Sequence, residues 1–257
     1  LEPRTPARCI NRAMLKLPKL KLPPMSDESK PFLDHLADLR TMLLRCTAAL
    51  VLGMLIVGPI APKILALLKT PLYAVTPDVD QFLWNWEVVG GFTLVMKIVL
   101  WGGLLLAAPF MVFAIGAFVF PGLTEKEKRV ILQTSGFAVG LFALGVFLAY
   151  RFCLPLGLKA MVAVNDWIGV RPQWTISSYI TFALQFMIAF GIVFEMPVIL
   201  VILGRIGIVK SSFLREKRRH VYVVLFIIAA VLTPPDVFSQ MLMALPLLVL
   251  YEMCIWI

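Results

Sequence analysis

Six apolar runs divide this chain, and together they confine it to the membrane. They cover residues 42–68, 94–120, 130–150, 179–204, 221–232 and 237–257, and a run of about 18 or more apolar residues with few charges reads as a helix that crosses a bilayer. The last pair is the most telling. Its uninterrupted apolar stretches, 221–232 and 241–251, correspond to about 18 Å of helix each at ~1.5 Å per residue, against a hydrocarbon core of about 30 Å. Such a hairpin must draw polar residues into its spans or sit in a thinned membrane. Composition agrees: 60% of residues are apolar and 15% charged, where soluble domains carry about 25% charge. The expected fold class is an all-α membrane protein of six transmembrane helices, the last two short, forming a single domain over residues 25–257 with no appended soluble domain.

Residues 1–24 stand apart. They are basic and proline-rich and lack the continuous apolar segment of a secretory signal. They are expected to be disordered or foreign to the domain, with Met25 reading as a natural start, unless they form a genuine basic tail drawn to anionic lipid. Cys9, Cys46, Cys153 and Cys254 are scattered without a Cys-x-x-Cys pair, which suits packing residues rather than metal ligands or disulfides. His35 and His220 lie far apart, so neither a metal nor a cofactor is expected.

Orientation follows from Lys and Arg, which accumulate in loops that stay in the cytoplasm. Eighteen of the 24 fall in residues 1–45, 121–129 and 205–219, and the remaining six are Lys63, Lys69, Lys97, Arg151, Lys159 and Arg171. Both termini are therefore expected in the cytoplasm and the 233–236 turn outside. The net charge of +9 is then a topology signal, with no nucleic-acid partner implied. The outer segment 70–93, with Pro71, Pro77, Trp84, Trp86 and Glu87, reads either as an interfacial helix or cap or as an ordered loop with aromatic anchors. Residues 151–178 read as a mixed loop.

Three acidic positions are candidates for function. Residues 31–40 (PFLDHLADLR) form an amphipathic entry to the first span, with Leu36, Leu39 and Leu43 at helical spacing and Asp34 and Asp38 one turn apart. Asp38 either pairs with a nearby Arg or belongs to a site. Glu127 fits the N3 position of a capping box whose N-cap is Thr124. If Asp38 and Glu127 approach one another, two carboxylates at the membrane surface form a cation site, and guanidinium groups match carboxylates with paired hydrogen bonds. Glu195 lies within the fourth span, where an ionisable group costs at least ~2.5 kcal/mol to insert. Gln185 and Gln240 are its candidate neighbours. Pro109, Pro197 and the Gly136-x-x-x-Gly140 pair read as kinks and close helix packing. No phosphate loop, nucleophile elbow or zinc-binding helix is visible, and no enzymatic activity is expected.

Four segments together carry a family resemblance: HLADLR (35–40), FVFPGL (118–123) running into Glu127, FG (190–191) through FEMP (194–197), and LTPPDVFSQ (232–240). In this order and spacing they resemble the TatC component of the twin-arginine protein translocase, from about Lys30 to the end of the chain. The resemblance implies a six-helix, cup- or glove-like receptor in the prokaryotic inner membrane. It would bind twin-arginine signal peptides and organise export of folded proteins on the proton-motive force. TatA- and TatB-type single-span proteins, membrane lipid and other copies of itself would be its partners. Carried over by position, Asp38 and Glu127 would hold the arginine pair, with Arg40 and Phe118 supporting that surface. Glu195 and Gln240 would lie in a polar intramembrane region facing partner helices or the signal peptide, and Pro71 and Asp236 would shape the outer cap. Two departures stand out: family members commonly have Glu where this chain has Asp38, and the chain stops at Ile257, where a cytoplasmic tail is expected to follow.

Two other classes compete with that reading. A small secondary transporter would use Glu195 as a midplane site, but needs matched repeats that the sequence lacks. An intramembrane enzyme would need a nucleophile and base or metal ligands within the spans, and none is apparent.

Overall fold

The computed structural model describes residues 30–119, 125–205, 211–232 and 237–256, with side chains described outside 30–34, 117, 119, 125–135, 205, 211–213 and 232. The chain divides into residues up to Ala37 and a unit from Asp38 to Ile257. Helix α1 (Lys30–Lys69) opens in the first and runs on through the second. Among the described residues, five helical stretches are long and apolar enough to cross a membrane: His35–Ala74, Gly90–Gly116, Gly136–Trp167, Ile176–Gly204 and Val237–Trp256.

The helices follow the apolar runs, with three departures. After α1, the outer segment holds a 3-10 turn (Thr70–Ala74), a short α2 (Val79–Phe82) and strand β1 (Leu83–Trp84), so it is a cap of short pieces. Helix α3 spans Gly90–Val119 and α4 spans Glu125–Leu148. The second departure comes next: residues 151–178 are not one loop. The chain passes from α4 through a π-helical turn (Ala149–Cys153) into α5 (Leu154–Trp167), and Pro155, at the start of α5, cannot supply the N–H of a regular α-helical bond, which suits the wider π turn just before it. Strand β2 (Trp174–Thr175) then leads into α6 (Ile176–Phe194), α7 (Met196–Arg205) and α8 (Ser211–Glu216). The closing hairpin is α9 (Arg218–Leu232) and α10 (Val237–Trp256).

The third departure concerns that hairpin. At 15 residues, α9 measures about 22 Å, whereas the 20 residues of α10 give about 30 Å at ~1.5 Å per residue. Ser239, Gln240 and Glu252 are taken into the helix, so α10 recruits polar residues to gain length and the shortness is concentrated in α9.

Helix α6 is the centre. More than half of its most apolar stretch is buried, against a third or less in the other four spans, as expected of a helix apolar on all sides. It packs against α3 and α4 and also touches α7, α9 and α10. Glycines permit the tightest approaches. A side chain on Gly191 would strike the Phe142 ring, and one on Gly145 would strike Phe194 and the Phe190 carbonyl. The Gly136 and Gly140 pair, read above as a packing motif, faces open space, whereas Gly145 on the same helix packs closely.

The cap is tied down at several points. The last carbonyls of a helix have no partner within it, and here Tyr150 Oη donates to Leu67 O at 2.9 Å and Tyr179 Oη to Leu68 O at 2.6 Å. Lys69 pairs with Asp80 at 2.9 Å. The parallel pairing of Leu83 with Trp174 and Trp84 with Thr175 joins the segment after α1 to the entry of α6. Trp84 and Trp86 stack at 5.6 Å and stay exposed.

Candidate functional site

The helix pairing at α1 and α3 sets the level of the first candidate residues. Gly53 meets the Gly103 carbonyl, and Val57 lies against Gly102. A groove of about 440 Å³ has Arg45, Ala48, Ala49 and Leu52 on one wall and Leu106, Ala107 and Phe110 on the other. As residue numbers rise on α3 they fall on α1, so the pair is antiparallel. Equal numbers of residues separate Gly53 from Asp38 and Gly103 from Phe118, about 22 Å of helix on each side. Asp38 and Phe118 therefore stand at the same height, at the end remote from the cap. Asp38 and Arg40 are exposed and Phe118 is half-buried. Helix α4 begins at Glu125, a short link after the end of α3 and packed against it, which brings the Glu127 backbone to that end as well. The Glu127 side chain lies outside the described residues, as do Thr124 and Asp236. Of the leucines named for the entry segment, Leu36 and Leu43 are exposed and Leu39 is half-buried.

Glu195 is placed by a break in the fourth span. Pro197 has no N–H, and its ring opposes the carbonyl four residues earlier, so the helix is interrupted between α6 and α7 with Glu195 at the joint. The backbone still turns helically there, Glu195 N donating to Ile192 O and Ile199 N to Glu195 O, both at 3.1 Å. The side chain is 1% exposed, and Oε1 has no hydrogen-bond partner among the described residues. A buried acceptor left unmatched costs about 1–3 kcal/mol, so this position is not optimised for stability alone.

Gln240 does not complete the Glu195 site. Its Nε2 donates to Phe226 O at 3.2 Å, tying α10 to α9. Trp174, just before α6, and Val237, at the start of α10, line one groove, so both helices start at the same end. Glu195 is about 28 Å along its helix from that end and Gln240 about 5 Å at ~1.5 Å per residue. The two polar residues sit at different depths. Pro71 is buried in the 3-10 turn beside Leu72, where its fixed φ suits the first turn.

One cluster escaped the sequence reading. At the far end of the hairpin, Glu252 accepts a hydrogen bond from Tyr222 Oη and pairs with Arg218 at 3.1 Å. Tyr251 Oη donates to Leu214 O at 2.9 Å. An acid near the end of the last apolar run and a base at the start of the preceding one was the available signal, because an antiparallel hairpin brings those positions together.

Residues 34–246 match the family model described as Sec-independent protein translocase protein (TatC). The chain belongs to the TatC family. TatC of Carboxydothermus hydrogenoformans is 36% identical over 234 residues, covering 91% of this chain and 94% of that one. TatC of Escherichia coli K12 is 34% identical over 228 residues, 88% and 87% of the two chains. A solved structure titled as the twin arginine translocase receptor TatC in DDM superposes with a TM-score of 0.76 at 33% identity, covering 86% of this chain and 98% of that chain. The chain is accordingly an all-α integral membrane protein, a transport component of the Sec-independent translocase that works with other Tat proteins, and not an enzyme.

Proposed function

We propose that this TatC-family chain is the receptor subunit that binds twin-arginine signal peptides at the end remote from the cap. Asp38 and Glu127 hold the two guanidinium groups, and Arg40 and Phe118 shape the surface around them. The observation that carries this reading is the antiparallel pairing of α1 with α3, which sets Asp38 level with Phe118 where α4 begins. An exposed carboxylate offers a guanidinium two parallel hydrogen bonds, and a twin-lysine sequence cannot reproduce that fork. Positive charge in the loops at this end orients it toward the cytoplasm of a prokaryotic inner membrane. Single-span TatA- and TatB-type proteins and further copies of the chain then assemble on the membrane-embedded faces, Glu195 among the contacts, and the proton-motive force drives export of folded cargo.

The test is affinity of the purified full chain for a fluorescent twin-arginine signal peptide, scored against its twin-lysine version. A charge-assisted hydrogen bond contributes about 1.5–3 kcal/mol, so Asp38→Ala or Glu127→Ala is expected to weaken the twin-arginine peptide by roughly 10–100-fold. Asp38→Glu retains binding. Equal affinity for both peptides, or wild-type binding by both alanine variants, rejects the assignment.

A further inference from the structure

Basic residues crowd the hairpin end where α8 meets α9. Arg215, Lys217, Arg218, Arg219 and His220 fall within six consecutive positions, and two acids face them. Glu252 is engaged by Arg218 and by the Tyr222 hydroxyl. Glu216, largely exposed, lies 3.4 Å from its neighbour Lys217. Arg215 and Arg219 are exposed and have no acid against them among the described residues. The Arg215 guanidinium instead lies 6.0 Å from the centroid of the Trp256 ring.

Trp256 links this charge to an apolar surface. From Leu248 to Trp256 the face of α10 forms an open groove of about 550 Å³, lined by Leu248, Val249, Glu252, Met253 and Trp256. Val249, Met253 and Trp256 are exposed. Because α10 is one of the membrane-spanning helices, the groove opens to hydrocarbon, while the Arg215–His220 cluster stands where the apolar part of α9 begins. A tryptophan between them is at the depth that Trp favours, the boundary between headgroups and acyl chains.

We propose that this is a binding site for one anionic glycerophospholipid, its phosphate held by Arg215 and Arg219 and an acyl chain laid along α10 beneath Trp256. The charge selects the ligand: cations exceed the acids facing them, and those acids are already paired, so a zwitterionic headgroup gains less than an anionic one. The groove selects a lipid over a soluble anion or an acidic peptide, neither of which has a chain to bury in the bilayer.

Native mass spectrometry of the detergent-solubilised full chain tests this with phosphatidylglycerol and phosphatidylcholine as probes. The wild type is expected to retain phosphatidylglycerol at least about tenfold better than phosphatidylcholine, and R215Q/R219Q to lose roughly that preference. Trp256→Leu weakens retention while keeping the headgroup preference, and neither inorganic phosphate nor a poly-glutamate peptide displaces the lipid. Glu252, Arg218 and Tyr222 are untouched in these variants, so the hairpin end stays tied. Equal retention of the two lipids by the wild type overturns the proposal without any variant. Wild-type retention by R215Q/R219Q overturns it as well, and displacement by inorganic phosphate or by poly-glutamate reassigns the cluster to a free anion or a protein partner. If R215Q/R219Q aggregates, the wild-type lipid preference and Trp256→Leu decide.

Discussion

Glu195 shows how an ionisable residue is kept inside a membrane protein without being spent on stability. Pro197 opens the joint that holds it, burial removes it from water, and Oε1 finds no donor among the described residues. A residue kept solely for packing would be served as well by an apolar side chain of similar size, at no desolvation cost. Glu195→Ala is therefore expected to leave twin-arginine peptide affinity within about twofold, since the Glu195 side chain is buried whereas the proposed peptide surface at Asp38 and Arg40 is exposed. The same variant should reduce co-purification of single-span partners and export of a folded reporter. Normal export together with normal partner recovery demotes Glu195 to a packing residue. The acid itself was legible in the sequence, because a lone Glu in an apolar run stands out. Its isolation from Gln240 was not, since depth along a helix depends on where each helix starts and the sequence gives those starts only to within a few residues.

Apolar runs marked most helices well, yet missed that the third span continues through a π-helical turn to Trp167. Hydropathy falls at Tyr150, Arg151 and Lys159, although long polar side chains can reach water from a helix end while the backbone stays helical. Which glycines mediate packing was also hidden. Gly136 and Gly140 have the textual spacing of a packing motif but face open space, while Gly53 supports the closest approach of α1 to α3 without any such pattern. A Cβ on Gly53 would stand 2.5 Å from the Gly103 carbonyl, a backbone atom that cannot swing aside. Gly53→Ala is expected to destabilise the fold by about 1–3 kcal/mol, whereas Gly136→Ala and Gly140→Ala gain up to about 1 kcal/mol each in helix propensity. Thermal unfolding in detergent separates the two: a lower midpoint for Gly53→Ala and unchanged or higher midpoints for the other two. The reverse order would mean that α1 and α3 do not meet at Gly53. This pairing also bears on the proposed peptide site, because it levels Asp38 with Phe118.

For the whole molecule in its bilayer, the decisive dimension is α9. Its length of about 22 Å falls short of a hydrocarbon core of about 30 Å, while α10 beside it is long enough to cross. The hairpin cannot share the deficit by sliding. Arg218 and Tyr222 fix one end of α9 to Glu252, and Phe226 O fixes its middle to Gln240. Tilt lowers the span of a helix further, so the remaining adjustment falls on the lipid, which thins locally at a cost of fractions of a kcal/mol per Å. Nitroxide labels at Val223 and Val231, both exposed on α9, read this directly through their collision rates with oxygen, which collects in hydrocarbon, and with a water-soluble nickel chelate. In a thinned bilayer the Val231 label meets the nickel chelate as a headgroup-level site does, and lipids with shorter acyl chains change its reading little. In a bilayer of ordinary thickness the label is buried several Å deep and reports oxygen instead, and shorter chains bring it progressively to the surface. The second pattern would remove membrane thinning from the account and leave the short helix as a packing feature of the hairpin alone.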